Sequence, residues 1–141
     1  MHLADEELNI PPSELSALED LYYATGGADW DWQAGAGAEW NFTGNPNPCV
    51  DNWQGINCSD PTIGDTYVYV LTLTLPFYNL QGSLPPSFGS LSQLIILVLD
   101  SNALTGTIQS SIASLTQLTV LILSANALTG TIPLSFGSLP Q

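Results

Sequence analysis

The chain has no positively charged side chains other than one histidine. Its 141 residues contain no lysine or arginine but 13 aspartates and glutamates, which gives a formal net charge of −13. Nucleic-acid binding requires cationic side chains that neutralise phosphates, and adhesion to anionic membranes requires the same groups. The composition therefore argues against both functions.

Long apolar runs are also missing from the sequence. No stretch of about 18 apolar residues occurs, and a membrane-spanning helix needs that length. The first ten residues, MHLADEELNI, have neither the basic nor the apolar region of a secretion signal. We expect no membrane insertion in this segment, and no signal peptide is visible in it.

Catalytic side chains are equally scarce. The only histidine is His2, so a Ser-His-Asp or Cys-His arrangement is not available. Asp29 and Asp31 offer a pair of carboxylates for glycoside cleavage or calcium binding, but no loop matches an EF-hand pattern. The simpler interpretation is a solvated surface. We expect no enzymatic activity and no cofactor, with calcium as an open alternative.

The sequence does contain a repeat. The heptapeptide NALTGTI occurs at 102–108 and again 24 residues later at 126–132, and YNLQGSL stands one period earlier at 78–84. Apolar positions agree in all three registers, as at Leu73, Leu97 and Leu121. A period of roughly 20–29 residues written L-x-x-L-x-L-x-x-N-x-L is typical of leucine-rich repeats. The trailing LTGTIP at 128–133 resembles the plant-type variety of that family.

The repeat pattern predicts an α/β solenoid. Alternate strand residues point to opposite faces, so stacked coils bury one column of leucines and form one parallel sheet on the concave side. Asn102 and Asn126 follow their strands, where each amide can hydrogen-bond backbone groups of its own and neighbouring coils in an asparagine ladder. Tyr78 occupies this place in the first repeat, a departure that is typical of a terminal repeat.

The first part of the chain predicts a cap. After two prolines, Ser13 is the predicted N-cap of an amphipathic helix that ends at Gly26 and Gly27. The segment LEDLYYATGGADW, followed by PCVDNWQGINC, resembles the N-terminal cap of extracellular leucine-rich-repeat proteins of plants, algae and related eukaryotes. Its cysteines are spaced somewhat further apart than in plant receptors. The predicted organisation is a tail at 1–12, a cap at 13–66, and three repeats at 67–141 that are open at the C-terminal end.

The resemblance implies an extracellular or cell-surface location and a disulfide between Cys49 and Cys58. Two buried free thiols in a cytosolic protein are the alternative. A zinc site would need more ligands than these two cysteines supply. Asn41 and Asn57 begin Asn-x-Ser/Thr sequons and are candidates for N-glycosylation. The four tryptophans are expected to pack inside the cap, and sugar stacking is the alternative.

The predicted concave face carries no charge. We name it the concave stripe, and its residues are Thr72, Thr74, Ile96, Val98, Val120 and Ile122. Since 12 of the 13 acidic residues lie at or before Asp65, little repels a partner from this surface, and an exposed apolar patch usually marks an interface.

The functional hypothesis is a non-enzymatic extracellular module that acts through protein association. One form of it is a structural unit that self-assembles head-to-tail through an open C-terminal end into a fibre. The alternatives are the ligand-recognising ectodomain of a receptor, or a plant-type inhibitor of wall enzymes. Ice binding by a flat threonine array is a minor alternative.

Overall fold

A computed structural model describes residues 7–108 and 110–130, and within them the chain forms a helical cap followed by stacked coils. The expectations for His2, and for the third repeat beyond Gly130, lie outside these residues. The cap contains the helix α1 (Pro12–Ala24), a 3₁₀ turn (Gly27–Asp29) and the strand β1 (Ile56–Cys58). The coils contribute β2 (Val70–Thr74), β3 (Gln81–Gly82), β4 (Ile96–Val98), β5 (Ala103–Leu104) and β6 (Val120–Ile122).

The main sheet has four strands in the order β1-β2-β4-β6. Strands β2, β4 and β6 are parallel, as the repeat pattern predicts, and each shifts by one 24-residue period so that Leu73 pairs with Leu97 and Leu97 with Leu121. Strand β1 is antiparallel to β2 and was not predicted. It covers the edge of the first coil, where unpaired backbone groups would otherwise be open to another chain.

A second, smaller sheet joins consecutive coils just after the strands of the main sheet. Strands β3 and β5 are parallel, and Thr107 forms an isolated bridge to Thr129 in the same relation. The convex side has short 3₁₀ helices at Pro86–Ser90 and Ser110–Ser114. The space between the sheets and the 3₁₀ helices is filled by completely buried side chains, which are Leu73, Leu97, Leu104, Phe88 and Ile112.

The start of α1 differs from the prediction. The helix begins at Pro12, its N-cap is Pro11, and no side chain caps it, so the assignment of Ser13 as the N-cap is wrong. A proline in the first turn is already fixed near helical φ and has no N–H group that would need a partner, which explains the earlier start. The end of the helix agrees with the prediction, because Gly26 follows it with a left-handed φ of 74°.

Glu14, in the first turn of α1, connects the cap to the first coil. Its side chain is buried, and its Oε1 accepts a hydrogen bond of 3.0 Å from the backbone N–H of Val70. Burial raises the pKa of this carboxyl to about 7, because the charged form is poorly solvated there. The residue ties the helix to the beginning of β2 and does not serve as an exposed first-turn charge.

Candidate interaction surface

The concave stripe is formed by two columns of side chains that run across the parallel strands. Register pairs Thr72 with Ile96 and Ile96 with Val120, and the second column joins Thr74, Val98 and Ile122. Neighbouring strands lie about 4.8 Å apart, so the six side chains form a continuous surface.

The stripe becomes more apolar along the solenoid. Thr72, Ile96 and Val98 are half-buried, whereas Thr74 is exposed, Val120 is 36% exposed and Ile122 is 41% exposed. None of the six residues can carry a charge. A surface of this kind gains free energy when a partner removes its apolar area from water.

A large aromatic side chain at the edge of the stripe was missed by the sequence analysis. Phe77 follows β2 and is 68% exposed. Its backbone is left-handed with a φ of 61°, and Ser101 and Ala125, at the same position of the next coils, have φ values of 59° and 56°. A bulky residue rarely adopts this conformation. The available signal was a phenylalanine where the other two repeats have serine and alanine.

The single acidic residue of the solenoid, Asp100, is joined to Phe77 through the backbone. The backbone N–H of Phe77 donates to the carbonyl of Asp100 at 3.3 Å, and Asp100 is the only acidic residue after Asp65. Its Oδ2 accepts a hydrogen bond of 3.2 Å from the hydroxyl of Ser101. The solenoid therefore has one largely exposed aromatic ring and one half-buried anionic group just beyond the ends of β2 and β4.

Asn102 holds the backbone behind this edge. Its Oδ1 accepts hydrogen bonds of 3.0 Å from the N–H groups of Tyr78 and Leu80. Its Nδ2 donates to the carbonyls of Leu75 and Leu99, each at 2.9 Å. One amide thus joins two coils.

Asn126 repeats the arrangement one coil later. Its Oδ1 accepts from the N–H of Leu104 at 2.9 Å, and its Nδ2 donates to the carbonyls of Leu99 at 2.9 Å and Leu123 at 3.1 Å. The strand ends are therefore fixed by side-chain hydrogen bonds in successive coils, which gives the concave stripe a rigid support.

Tyr78 connects the first coil to the cap instead of extending this pattern. Its hydroxyl donates to Oε1 of the buried Gln54 at 2.6 Å. Gln54 also donates through Nε2 to the carbonyls of Gln33 and Gly37 at 3.0 Å, and its Oε1 accepts from the N–H of Gln33. The departure from asparagine at this position therefore supplies a bond between the first coil and the cap.

The cap itself is held by a disulfide and by aromatic packing. Cys49 and Cys58 are disulfide-bonded, which confirms the predicted pairing. Trp30, Trp40 and Trp53 are buried, and the rings of Trp40 and Trp53 are stacked with their centroids 5.5 Å apart. These indoles pack in the core of the cap, so they are not available for sugar stacking.

The two sequons differ in local geometry. Asn41 is exposed, and its Oδ1 accepts from both the N–H and the hydroxyl of Thr43, at 3.0 and 2.7 Å. Asn57 lies in β1, next to the disulfide, and its Nδ2 donates to Thr72 Oγ1 at 3.2 Å. Glycosylation of either residue stays a prediction, and a glycan on Asn57 would project beside the concave stripe.

The acidic side chains of the described part of the chain are not clustered as metal ligands. Asp29 and Asp31 are exposed. In residues 7–108 and 110–130, no group of three or more histidine, cysteine, aspartate or glutamate side chains is placed to hold a metal ion. Within the same residues, no helix is long and apolar enough to cross a membrane.

A parallel sheet of leucine-lined coils, with asparagines that bond from coil to coil, defines a leucine-rich-repeat solenoid. The Leucine Rich Repeat family model matches residues 117–139. The fold is that of a leucine-rich-repeat solenoid with an N-terminal cap, and the proteins to which the chain is similar are plant LRR receptor kinases and plant LRR ectodomains.

Three comparisons define this relationship. The LRR receptor-like serine/threonine-protein kinase FEI 2 of Arabidopsis thaliana is 41% identical over 59 residues, which are 42% of this chain and 9% of that protein. The LRR ectodomain of the receptor kinase SOBIR1 from Arabidopsis thaliana superposes with a TM-score of 0.71 at 30% identity, over 94% of this chain and 64% of that one.

The third comparison is with a complex. The ectodomain of GASSHO1/SCHENGEN3 from Arabidopsis thaliana, solved with CASPARIAN STRIP INTEGRITY FACTOR 2, has a TM-score of 0.68 at 32% identity and covers 92% of this chain and 14% of that one. This chain therefore spans a small part of the kinase and of this ectodomain, and about two thirds of the SOBIR1 ectodomain. The matches to kinases fall on the repeat part of this chain.

Proposed function

We propose that this chain is a non-enzymatic, extracellular recognition module that binds a protein or peptide partner on the concave stripe. The observation that carries the proposal is the uncharged double column that ends in the exposed Val120 and Ile122. The similarity to receptor ectodomains, one of them solved with its partner, supports this function and the extracellular location.

The chemistry of the surface defines the partner. Two columns of threonine, isoleucine and valine favour an extended segment with apolar side chains, because apolar contact is what these columns offer. Phe77 provides an aromatic contact of the kind enriched in interfaces. Asp100 favours a cationic group at the same end, since a partly desolvated ion pair adds specificity.

A selection of displayed peptides against the intact chain tests the proposal. We expect the selected peptides to be apolar with one basic residue. Their binding should weaken at least tenfold in the double variant Val120→Lys, Ile122→Lys, because both lysines would place charge in the apolar columns. Binding is measured by biolayer interferometry, and circular dichroism verifies that the variant is folded.

The same coil offers a matched control. Thr116 and Gln117 are exposed and lie outside the concave stripe, so Thr116→Lys with Gln117→Lys adds the same charge elsewhere and should leave binding unchanged. If both double variants bind the peptides as the wild type does, the concave stripe is not the recognition surface.

Self-association is the second candidate function. It is favoured by the exposure of Val120 and Ile122 on a solenoid surface that has one carboxylate in its described part. Leu121, Leu123 and Leu128 in the same coil are half-buried and pack against the core. Growth into a fibre has no support from the comparisons and stays a prediction.

The ice-binding alternative depends on a flat array of threonines. Of the three parallel strands that the structure describes, β2 alone has threonine at both outward positions, Thr72 and Thr74. The columns continue with isoleucine and valine, so they favour an apolar partner over an ordered array of hydroxyl groups.

A further inference from the structure

Asn41 lies at the rim of a pocket in the cap. The pocket has a volume of about 270 Å³, which is slightly below the range of roughly 300–1,000 Å³ in which proteins hold drug-sized ligands. This volume suits a single sugar ring. Besides Asn41, the lining residues are Glu19, Tyr22, Tyr23, Trp40, Phe42 and Thr43.

Aromatic rings form the walls of this pocket. The ring centroid of Phe42 is 5.4 Å from that of Tyr22 and 6.4 Å from that of Tyr23. Tyr23 is 67% exposed, which is unusual for a large side chain next to an aromatic core. The C–H groups of a pyranose ring carry a small positive charge and pack on the negative face of an aromatic ring.

The hydrogen bonds within the Asn41 sequon involve the oxygen of the amide. Both hydrogen bonds from Thr43 end on Oδ1, and neither involves Nδ2, the atom that receives the sugar. The hydroxyl of Thr43 is the sequon group that distinguishes an acceptor asparagine from other exposed asparagines. In the sequon at Asn57, Nδ2 instead donates to Thr72, and the hydroxyl of Ser59 accepts a hydrogen bond from the N–H of Tyr69.

We propose that Asn41 carries an N-linked glycan whose first N-acetylglucosamine lies in this pocket against Tyr23 and Phe42. The inference depends on the extracellular location proposed above, but it does not depend on any partner of the concave stripe. The glycan then completes the surface of the cap, because the sugar covers rings that are otherwise partly open to water.

The modification is a group transfer from a lipid-linked diphosphate oligosaccharide. A bond forms between Nδ2 of Asn41 and the anomeric carbon C1 of the first N-acetylglucosamine. The bond between C1 and the diphosphate oxygen breaks, and the lipid diphosphate leaves with that electron pair. The amide nitrogen loses one proton to a base of the transferase, so no oxidant or reductant is required.

The test compares one sequence made in two hosts. The chain is secreted from a plant cell line and, separately, produced with its disulfide in a host that does not glycosylate asparagine. We expect peptide mapping to find the glycan on Asn41 in the plant material. An endoglycosidase that leaves a single N-acetylglucosamine then provides a third form of the same protein.

The position of the sugar is measured on this third form. We expect nuclear Overhauser contacts between the N-acetylglucosamine and the ring protons of Tyr23 and Phe42. The melting temperature should be about 3 °C higher than that of the unglycosylated chain. Tyr23→Ala should abolish this difference, whereas Phe77→Ala should retain it, because Phe77 is equally exposed but lies on the solenoid.

Two results would overturn the inference. If Asn41 is unmodified in the secreted chain, the proposed glycan does not exist. A modified Asn41 without ring contacts, and with the same melting temperature as the unglycosylated chain, would mean that the sugar extends into solvent. Peptide binding to the concave stripe is a separate measurement, so neither result bears on the recognition function.

Discussion

At the scale of single residues, Asn102 is a side chain that links two coils. Its one amide hydrogen-bonds backbone groups in two coils, and replacement of the side chain by a methyl group would leave several of them without a partner. A buried backbone group that loses its partner costs about 1–3 kcal/mol.

We therefore expect Asn102→Ala to lower the free energy of unfolding by about 2–3 kcal/mol, as measured by urea denaturation. Asn45→Ala is the control, because Asn45 is exposed, and its loss should change stability by less than about 0.5 kcal/mol. An equal effect of the two substitutions would contradict the bridging role of Asn102.

Glu14 makes the stability of the protein depend on pH. Burial raises the pKa of its carboxyl from 4.5 to about 7 in the folded protein, and the N–H of Val70 partly offsets this rise. The folded state therefore holds the proton more tightly than the unfolded state. The resulting stabilisation is complete below pH 4.5 and is lost as the pH rises through about 7.

We expect the wild type to lose about 2 kcal/mol between pH 4.5 and 7.5 because of this one residue, after allowance for partial solvent screening. Glu14→Gln should remove that part of the pH dependence, whereas Glu19→Gln on the exposed side of the same helix should retain it. Unfolding free energies at four or five pH values suffice. Parallel curves for the wild type and Glu14→Gln would show that Glu14 does not titrate in this interval.

At the scale of secondary-structure elements, the end of α1 and the first coil are in close backbone contact. Gly82, in β3, has a left-handed φ of 94°, and a Cβ atom there would lie 2.5 Å from the carbonyl oxygen of Ala24. The end of the helix therefore rests directly on the backbone of the coil. A side chain at this position would force the two elements apart.

We expect Gly82→Ala to cost about 3 kcal/mol or more, the sum of backbone strain and this clash. Gly44→Ala is the matched control, since Gly44 also has a left-handed φ, of 69°, but has open space around its Cβ position. It should cost about 1–2 kcal/mol from strain alone. Thermal denaturation of both variants measures the difference, and equal costs would argue against the close contact.

The elements also separate what the sequence could predict from what it could not. The 24-residue period predicted the positions of β2, β4 and β6. It also predicted their inward leucines, because the repeated leucines can be buried only if they all lie on the same face of the sheet. The pairing of β1 with β2 has no period and depends on contacts remote in sequence, so it was missed. The Ser13 cap was wrong because a proline in the first turn starts the helix without a side-chain cap.

The candidate surface was predicted with the same partial success. The two columns of the concave stripe follow from strand alternation, so their residues were predictable from the sequence. The exposure of Phe77 was not predictable, because it depends on a left-handed turn for which the repeat sequence contains no signal. Neither the Tyr78–Gln54 hydrogen bond nor the pocket beside Asn41 was predicted. Each is formed by residues that are distant in sequence, so it depends on tertiary packing and has no local sequence signal.

At the scale of the whole molecule, charge is divided between a strongly acidic cap and a nearly uncharged solenoid. Like charges would keep caps apart, whereas the solenoid surface has little that opposes contact with a second copy. If the concave stripe mediates self-association, copies would meet through Val120 and Ile122. Raised salt would strengthen this association, because salt screens the repulsion between caps.

We expect size-exclusion chromatography with light scattering to find a larger mass at high protein concentration, and a monomer for Val120→Lys with Ile122→Lys. Thr116→Lys with Gln117→Lys should behave as the wild type does. A wild type that stays monomeric at all concentrations and salt levels would leave recognition of a different partner as the remaining use of the concave stripe.

The left-handed turn after each parallel strand has a consequence for the construction of longer arrays. Phe77, Ser101 and Ala125 each hold a conformation that costs a residue other than glycine or asparagine of the order of 1 kcal/mol. In an engineered protein that repeats this coil many times, each added coil would contribute one favourable interface and also one residue with this backbone cost. Asparagine at this single position would relieve it throughout, so the natural sequence leaves part of the achievable stability of such arrays unused.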